Sequence, residues 1–198
     1  MKSSLIILAF FVIGVFTGLF ADFPSFLVNS DITMYIVYVL VFFVGVSIGS
    51  DNVMTVFKQV GLKIIIVPVC VVVGSLAGSA AISLFLNDVP IKEAMAIGSG
   101  FGYYSLSSIY ITKLSGETFG TIALLSNLMR EVLTILAAPL LVKYFGNLSL
   151  IASGGATSMD TTLPIVSIYS GKKYAIYALF NGVVLTILVP ILVTFILT

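Results

Sequence analysis

Two adjacent ionisable residues stand near the middle of a long apolar stretch. The stretch covers residues 118–142, is long enough to cross a bilayer as a helix, and contains Arg130 and Glu131. An ionised side chain at such a depth costs about 2.5 to 3.5 kcal/mol on insertion scales, so it usually faces protein or a water-filled cavity. Asn127 and Thr134 extend the Glu131 side of the helix as a polar stripe. These residues indicate either a buried salt bridge between helices or, as the favoured interpretation, a transport site.

The composition predicts that most of the surface of this chain lies in lipid. Hydrophobic residues make up 60% of the 198 residues, charged residues make up 9%, and the mean hydropathy is +1.23. These values lie far outside the range of soluble globular proteins. The sequence therefore predicts an all-α integral membrane protein that forms a single transmembrane transporter domain over residues 1–198.

Several kinds of chemistry lack the residues that they need. The chain has no histidine, a single cysteine at position 70 and no GxxxxGK[ST] loop for ATP. Metal sites, other cofactors and Ser-His catalysis are therefore disfavoured, and an aspartyl protease would need a second membrane aspartate beside Asp160. The net charge of +1 gives no argument for nucleic-acid binding. We expect a protein that is not an enzyme, with secondary or passive transport.

About seven apolar segments follow one another along the chain. They cover residues 3–21, 32–50, 64–86, 94–112, 118–142, 147–170 and 174–198. The third contains small residues at positions 74–81, which offer a surface for close helix contact. Basic residues accumulate on one predicted side of the membrane, at Lys2, Lys58, Lys63, Lys172 and Lys173, against Lys92 on the other. This bias predicts a multi-pass protein with a cytoplasmic N-terminus and an external C-terminus.

Two of these segments, 94–112 and 147–170, are predicted to be broken or re-entrant. The first contains GSGFGYYSLSS at positions 98–108, and the second contains SGGATSMDTTLP at positions 153–164. Both runs are poor in helix formers. The predicted break points are their glycines: Gly100, Gly102, Gly154 and Gly155. Packing alone is one explanation of such breaks. Corresponding interruptions in similar segments favour a transporter binding site between inverted repeats.

The sequence leaves the course of these two segments open. If both cross the membrane, Lys113 lies inside and Lys143 outside, whereas two re-entrant hairpins exchange these positions. The positive charge on each side is the same in both cases. The re-entrant course places the similar segments in opposite orientations, as an inverted repeat requires, and is therefore preferred.

The motifs GSGFGYYSLS, SNLMRE and SGGATSMDTTLP occur in this order and resemble the LysO-type lysine exporters of bacterial inner membranes. VFFVGVSIG with the following DN and FKQV extends the similarity over nearly the whole chain. The resemblance implies export of L-lysine and its toxic analogues, in exchange for a cation. It identifies Glu131 with the acidic residue of the family's RE motif and Asp160 with that of its ATSMD motif. Longer members carry further N-terminal helices with another acidic residue, which suggests that this chain is part of a split transporter.

Lysine has two ammonium groups and a carboxylate, so its site needs both signs of charge. Glu131 and Asp160 are expected to attract the ammonium groups and to exchange them for protons, which gives antiport. Half-helix N-termini would direct N–H groups at the carboxylate, and Arg130 is a further candidate. Asp160 could also cap a half-helix that begins at Thr161. The remaining candidate residues of the substrate and ion site are Asn127, Tyr103, Tyr104, Ser105, Ser107, Thr157, Ser158 and Thr161.

The expected partners are membrane lipid, L-lysine or a related cationic amino acid, and either a second copy of the chain or a small membrane subunit. Arg130, Glu131 and Asp160 together carry one negative charge, which lysine balances without leaving an acid for a coupled proton. A partner could supply that acid. The alternative functions are a membrane channel or a non-catalytic subunit of a split transporter.

Overall fold

The computed structural model describes residues 13–14, 16–18, 63–86 and 88–198. The predicted segment 32–50 lies outside the described residues, and only five residues of segment 3–21, all helical, lie within them. In these ranges every regular element is a helix. The predicted all-α class is therefore confirmed.

The described chain from residue 63 onward consists of α-helices and two short 3₁₀ helices. The α-helices are α1 (Lys63–Ser83), α2 (Ile91–Gly98), α3 (Tyr104–Ser115), α4 (Glu117–Phe145), α5 (Asn147–Gly154), α6 (Leu163–Tyr169) and α7 (Ala175–Leu197). The 3₁₀ helices cover Gly155–Met159 and Lys172–Tyr174. Predicted segments 94–112 and 147–170 thus each contain two shorter helices.

Three described stretches are long and apolar enough to cross a membrane: Ile64–Ser83, Glu117–Phe145 and Lys172–Leu197. Helix α4 has 29 residues and therefore extends about 43 Å at 1.5 Å per residue. This length exceeds the hydrocarbon thickness of about 30 Å. The ends of α4 can therefore lie at opposite membrane surfaces while its centre, near Arg130, lies at membrane depth.

The long helices direct bulky apolar side chains away from the protein. In α4 the exposed residues recur every fourth position, which places them on one side of the helix: Leu125, Met129 and Leu133. Helix α7 repeats the pattern with Val183, Ile187 and Ile191. The buried sides carry smaller residues, including Ala123 and Ala138 of α4. An apolar surface of this extent matches a lipid environment better than water.

The chain turns sharply between α2 and α3. Phe101 and Gly102 have φ angles of 47° and 93°, in the left-handed region that no α-helix contains. Phe101 is nevertheless completely buried. Residues 99–103 therefore form a buried turn between two helices.

A second buried turn follows α5. Gly155, with φ 62°, leads into the 3₁₀ helix, and α6 begins only at Leu163. Thr162 occupies the N-cap position of α6. The predicted half-helix that begins at Thr161 with Asp160 as its cap is therefore wrong by two residues. Gly155 and the 3₁₀ helix delay the start of α6, because their backbone does not propagate an α-helix.

Helix α4 lies beside both interrupted segments. Gly120 of α4 packs closely against Thr112 of α3. In the other half of α4, the carbonyl of Leu141 accepts a hydrogen bond from Ser149 of α5 at 2.9 Å, and the Thr134 hydroxyl lies 2.6 Å from that of Ser153. Helix α3 thus runs antiparallel to the first half of α4, and α5 runs antiparallel to the second half.

Candidate functional site

The polar stripe of α4 faces the protein interior. Asn127, Glu131 and Thr134 are only 3%, 8% and 1% exposed, while neighbouring Met129 and Leu133 face outward. Burial of polar side chains requires partners in the protein or in a ligand. The partners differ from residue to residue. They indicate which residues have a structural role and which are candidates for binding.

Asn127 holds the turn between α2 and α3. Its Oδ1 accepts a hydrogen bond from the Gly102 N–H at 2.7 Å, and its Nδ2 donates to the carbonyl of Ile97 at 3.1 Å. Nδ2 also donates to the carbonyl of Ala123, at 2.9 Å, on its own helix. Both N–H groups of the amide therefore donate hydrogen bonds. The Gly102 N–H, which the turn leaves without a helical partner, and the Ile97 carbonyl are paired with Asn127.

The Arg130 guanidinium points at the C-terminal end of α5. Nε donates to the carbonyl of Ser153 at 2.8 Å, and Nη2 donates to that of Ala152 at 3.1 Å. Nη1 donates to the hydroxyl of Ser75 on α1, at 2.9 Å. Carbonyls in the last turn of a helix lack helical partners and carry partial negative charge. Arg130 therefore joins α1, α4 and α5 through neutral oxygens.

Glu131, Asp160, Tyr104 and Thr161 form what we term the acidic cluster. The Glu131 carboxyl lies within electrostatic range of the Thr161 side chain and of the Asp160 carboxyl. Asp160 Oδ1 accepts hydrogen bonds from the Thr161 N–H at 2.6 Å and from the Thr161 hydroxyl at 3.3 Å. The Tyr104 phenol lies within electrostatic range of both carboxyl groups and of Tyr103. Tyr104, Asp160 and Thr161 are only half-buried, so a ligand can approach the cluster.

Three other candidate hydroxyls are directed at backbone. Ser107 Oγ donates to the carbonyl of Tyr103 at 3.0 Å, and Thr157 Oγ1 donates to that of Gly154 at 2.9 Å. Ser158 Oγ donates to the carbonyls of Gly155 and Ala178. All three residues are buried, whereas Ser105 is exposed. The structure therefore brings Tyr103, Tyr104, Glu131, Asp160 and Thr161 together, while these three serve the turns.

The two turns touch each other in the protein interior. The Ala156 N–H donates a hydrogen bond of 2.8 Å to the carbonyl of Phe101. A Cβ at Gly155 would collide with that same carbonyl, and a Cβ at Gly102 would lie 3.0 Å from the carbonyl of Gly154. Because Gly102 and Gly155 also have positive φ angles, glycine is favoured there both by conformation and by the close approach of the two backbones.

Asn181 of α7 is a buried polar residue that was not predicted to belong to the site. Its Nδ2 donates to the carbonyl of Gly155 at 2.8 Å and to Ser158 Oγ at 3.1 Å, and the residue is completely buried. Asn181 thus holds the second turn as Asn127 holds the first. Its spacing was the available signal, since Asn181 follows Gly155 by 26 residues and Asn127 follows Gly102 by 25.

Comparison with known proteins identifies relatives over most of the chain. The family model "Lysine exporter LysO" matches residues 8–197. The lysine exporter LysO of Escherichia coli (strain K12) is 39% identical over 168 residues, which is 84% of this chain and 55% of the relative. This chain therefore spans about half the length of that protein.

A protein of Haemophilus influenzae (strain ATCC 51907 / DSM 11121 / KW20 / Rd), named as a candidate lysine exporter, is 32% identical over 162 residues. That match covers 82% of both chains. No solved structure is a significant match. The family match and the two relatives confirm the resemblance that the sequence motifs carry, and the chain belongs to the lysine exporter LysO family.

Proposed function

We propose that this chain takes part in the export of L-lysine and cationic lysine analogues across the bacterial inner membrane, in exchange for protons or another cation. The observation that carries the proposal is the acidic cluster, in which carboxyl groups from two separate segments lie within electrostatic range of each other. The names of the relatives support lysine as the substrate.

The chemistry of the cluster is suited to a substrate with two ammonium groups. The Glu131 and Asp160 carboxylates attract the ammonium groups, and the phenol of Tyr104 adds a hydrogen-bond donor or acceptor. The N-terminal turn of α3, which begins at Tyr104, directs backbone N–H groups and a positive dipole end toward the substrate carboxylate. Tyr103 and Ser105 lie beside this helix start and complete the proposed site.

The contacts of segment 147–170 support a re-entrant course. The Ser170 hydroxyl donates a hydrogen bond of 2.9 Å to the carbonyl of Asn147, and Asn147 Nδ2 donates to the Tyr174 hydroxyl at 3.2 Å. The two ends of the segment therefore lie side by side. In this proposal α5 enters the membrane, the 3₁₀ helix forms the tip, and α6 returns to the same surface.

The contacts of segment 91–116 support a re-entrant course from the other surface. Asn127 Nδ2 donates to the carbonyl of Ile97, and a Cβ at the next residue, Gly98, would touch Ser79 of α1. Three residues further along α4, Arg130 contacts Ser75, which precedes Ser79 in α1. This order supports an antiparallel arrangement of α1 and α4, in which α1 ends at the surface where α4 begins. In this proposal α2 starts from that surface and α3 returns to it.

Two hairpins that enter from opposite surfaces and meet at their tips form an inverted repeat. The surface of the second hairpin carries Lys143, Lys172 and Lys173. The surface of the first carries Lys92 and Lys113 together with three acidic residues, Asp88, Glu93 and Glu117. By the positive-inside rule the second hairpin faces the cytoplasm, and the C-terminus is external.

Exchange at a shared carboxylate would couple export to a proton or another cation. An acid of the cluster binds an ammonium group of lysine, then takes up a proton when lysine leaves, and releases that proton when the next lysine arrives. Once lysine has left, the two carboxylates cannot both stay charged and unpaired in the membrane interior, because desolvated charges require compensation. The proton or other cation provides that compensation in the return step.

Efflux from vesicles tests this function. Purified protein is reconstituted in vesicles that contain radiolabelled lysine, with and without an acidic external medium. We expect saturable efflux that the inward proton gradient accelerates. Efflux that rises linearly with lysine concentration would instead support a channel, and absence of lysine flux would overturn the proposed function.

A homodimer, or an assembly with a small membrane subunit, stays a prediction. One side of α1 supports it, since Gly74, Ala77, Gly78 and Ala81 are exposed small residues. Within the described part of the chain, nothing lies within 4 Å of a Cβ placed at Gly74 or Gly78. Small residues at this spacing permit close approach of another membrane helix. The other side of the same run faces inward, where Ser75 contacts Arg130.

A further inference from the structure

We infer that Arg130 is a positioning residue, which holds the C-terminal end of α5 and with it the tip of the second interrupted segment. The substrate carboxylate is then bound elsewhere. The inference rests on the proposed lysine export, and it assigns Arg130 a task distinct from that of its neighbour Glu131.

The first argument is the use of the guanidinium donors. A guanidinium has five N–H groups in a rigid planar fork. One edge of the fork is directed at the adjacent carbonyls of Ala152 and Ser153, and the third contact extends to Ser75. Among the described residues, no carboxylate contacts Arg130. The guanidinium therefore binds the carbonyls at the end of a helix and not a carboxylate counterion.

The second argument is the place of Arg130 between the two turns. A Cβ at Gly155 would lie 3.3 Å from Arg130 Nη2, and a Cβ at Gly102 would lie 3.9 Å from Arg130 Cδ. The side chain thus lies against both tips where they meet. Its methylene groups pack against the first turn, and its guanidinium binds the end of α5, which leads into the second turn.

The third argument concerns what depends on this contact. Only two residues separate Ser153 from Ala156, whose N–H bonds to Phe101, and the chain reaches Asp160 four residues later. Without Arg130, the carbonyls of Ala152 and Ser153 would lose charge-assisted hydrogen bonds in an interior that holds little water to replace them. The tip would then open, and Asp160 would lose its position relative to Glu131.

Solvent access to the tip tests the inference directly. The reporter is Thr157→Cys, a substitution of similar size at a buried tip position, in a chain that also carries Cys70→Ser because Cys70 is exposed. We expect a water-soluble maleimide to label Arg130→Gln about tenfold to a hundredfold faster than the parent, since two buried carbonyls lose their partners.

The matched control is Glu131→Gln, at the next position of the same helix. It should keep the slow labelling of the parent even though lysine export is lost. If Glu131→Gln continues to export lysine, the role of Glu131 fails, and if the parent shows no lysine flux, the proposed function fails. The labelling result for Arg130 stands in both cases. Equal, slow labelling of Arg130→Gln and the parent would overturn the positioning role.

A milder variant covers the case in which Arg130→Gln does not fold. Ser75→Ala removes one of the three Arg130 contacts and leaves the guanidinium in place. We expect intermediate labelling, a lower maximal export rate and a KM for lysine within about threefold of the parent, because the substrate loses no ligand. A raised KM with parental labelling would show that Arg130 binds the substrate instead.

Discussion

The backbone N–H of Ala156 donates a hydrogen bond of 2.8 Å to the carbonyl of Phe101. These residues lie in two turns that are separated by more than fifty positions in sequence. The bond exists because glycines at 102 and 155 let the two backbones approach closely. The bond holds the first turn close to the second, and therefore holds the start of α3 at Tyr104 close to Asp160 and Thr161.

Substitution of Glu131 by glutamine should abolish lysine export while the protein remains inserted and folded. The amide keeps the shape of the side chain but can neither neutralise an ammonium group nor carry a proton. Lysine efflux from vesicles measures the effect. Glu117→Gln is the matched control, since this glutamate is exposed in the first turn of the same helix, and it should export normally. Parental efflux by Glu131→Gln would remove Glu131 from the site.

Replacement of Gly155 by alanine should destabilise the protein more than the same replacement at Gly116. Both glycines have positive φ angles in regions that other residues rarely adopt, so each alanine costs about 1 to 3 kcal/mol of strain. Only at Gly155 does the new Cβ also collide with the Phe101 carbonyl, whereas no described residue lies within 4 Å of a Cβ at Gly116. Thermal unfolding in detergent measures the difference. Equal shifts in Tm would mean that the two turns do not pack as described. Leucine at Gly100, Gly102, Gly154 or Gly155 should be worse still.

Cysteines introduced at the two lysines that flank the second hairpin should label from the same side of the membrane. We expect Lys143→Cys and Lys172→Cys to react from the cytoplasmic side, and Lys113→Cys from the external side. A membrane-impermeant maleimide applied to whole cells or inverted vesicles distinguishes the sides, in a Cys70→Ser background. Labelling of positions 143 and 172 from opposite sides would show that segment 147–170 crosses the membrane.

Loss of either asparagine amide should lower stability by about 1 to 3 kcal/mol, the usual cost of a buried backbone group left without its partner. Asn127→Leu strands the N–H of Gly102, and Asn181→Leu removes the donor to the Gly155 carbonyl. Thr186→Val is the control on α7, because the buried Thr186 hydroxyl has no hydrogen-bond partner among the residues that the structure describes, and its removal should be neutral. Equal Tm values for all three variants would contradict the holding role of the amides.

The number of copies needed for transport can be counted directly. We expect that vesicles with a single copy of this chain fail to couple lysine efflux to proton uptake, because the exposed small residues of α1 are expected to bind a second copy or a partner subunit that transport requires. Reconstitution at high dilution, with subunits counted per vesicle, makes the measurement. Full antiport by vesicles with one copy would remove the need for a homodimer or a partner subunit.

The inward face of α4 could be predicted from sequence, because Asn127, Glu131 and Thr134 recur at helical spacing within an apolar stretch. The predicted turns at the glycines also coincide with the ends of α2 and α5. The partners of Arg130 could not be predicted, since backbone carbonyls at a helix end have no sequence signature. The start of α6 was placed two residues too early because Asp160 and Thr162 are both favoured N-cap types. The predicted roles of the acidic residues stay predictions.

The shortness of α2 and α5 has a consequence for the biogenesis of the protein. Eight residues of helix extend about 12 Å, so neither element can be delivered into the bilayer as a finished span. The acceptor for the Gly102 N–H lies on α4, and the donor to the Gly155 carbonyl lies on α7. Each tip must therefore wait for a helix that the ribosome synthesises later. The second tip is completed only after α7 has been translated, because a chain that ends before Asn181 lacks the donor to the Gly155 carbonyl.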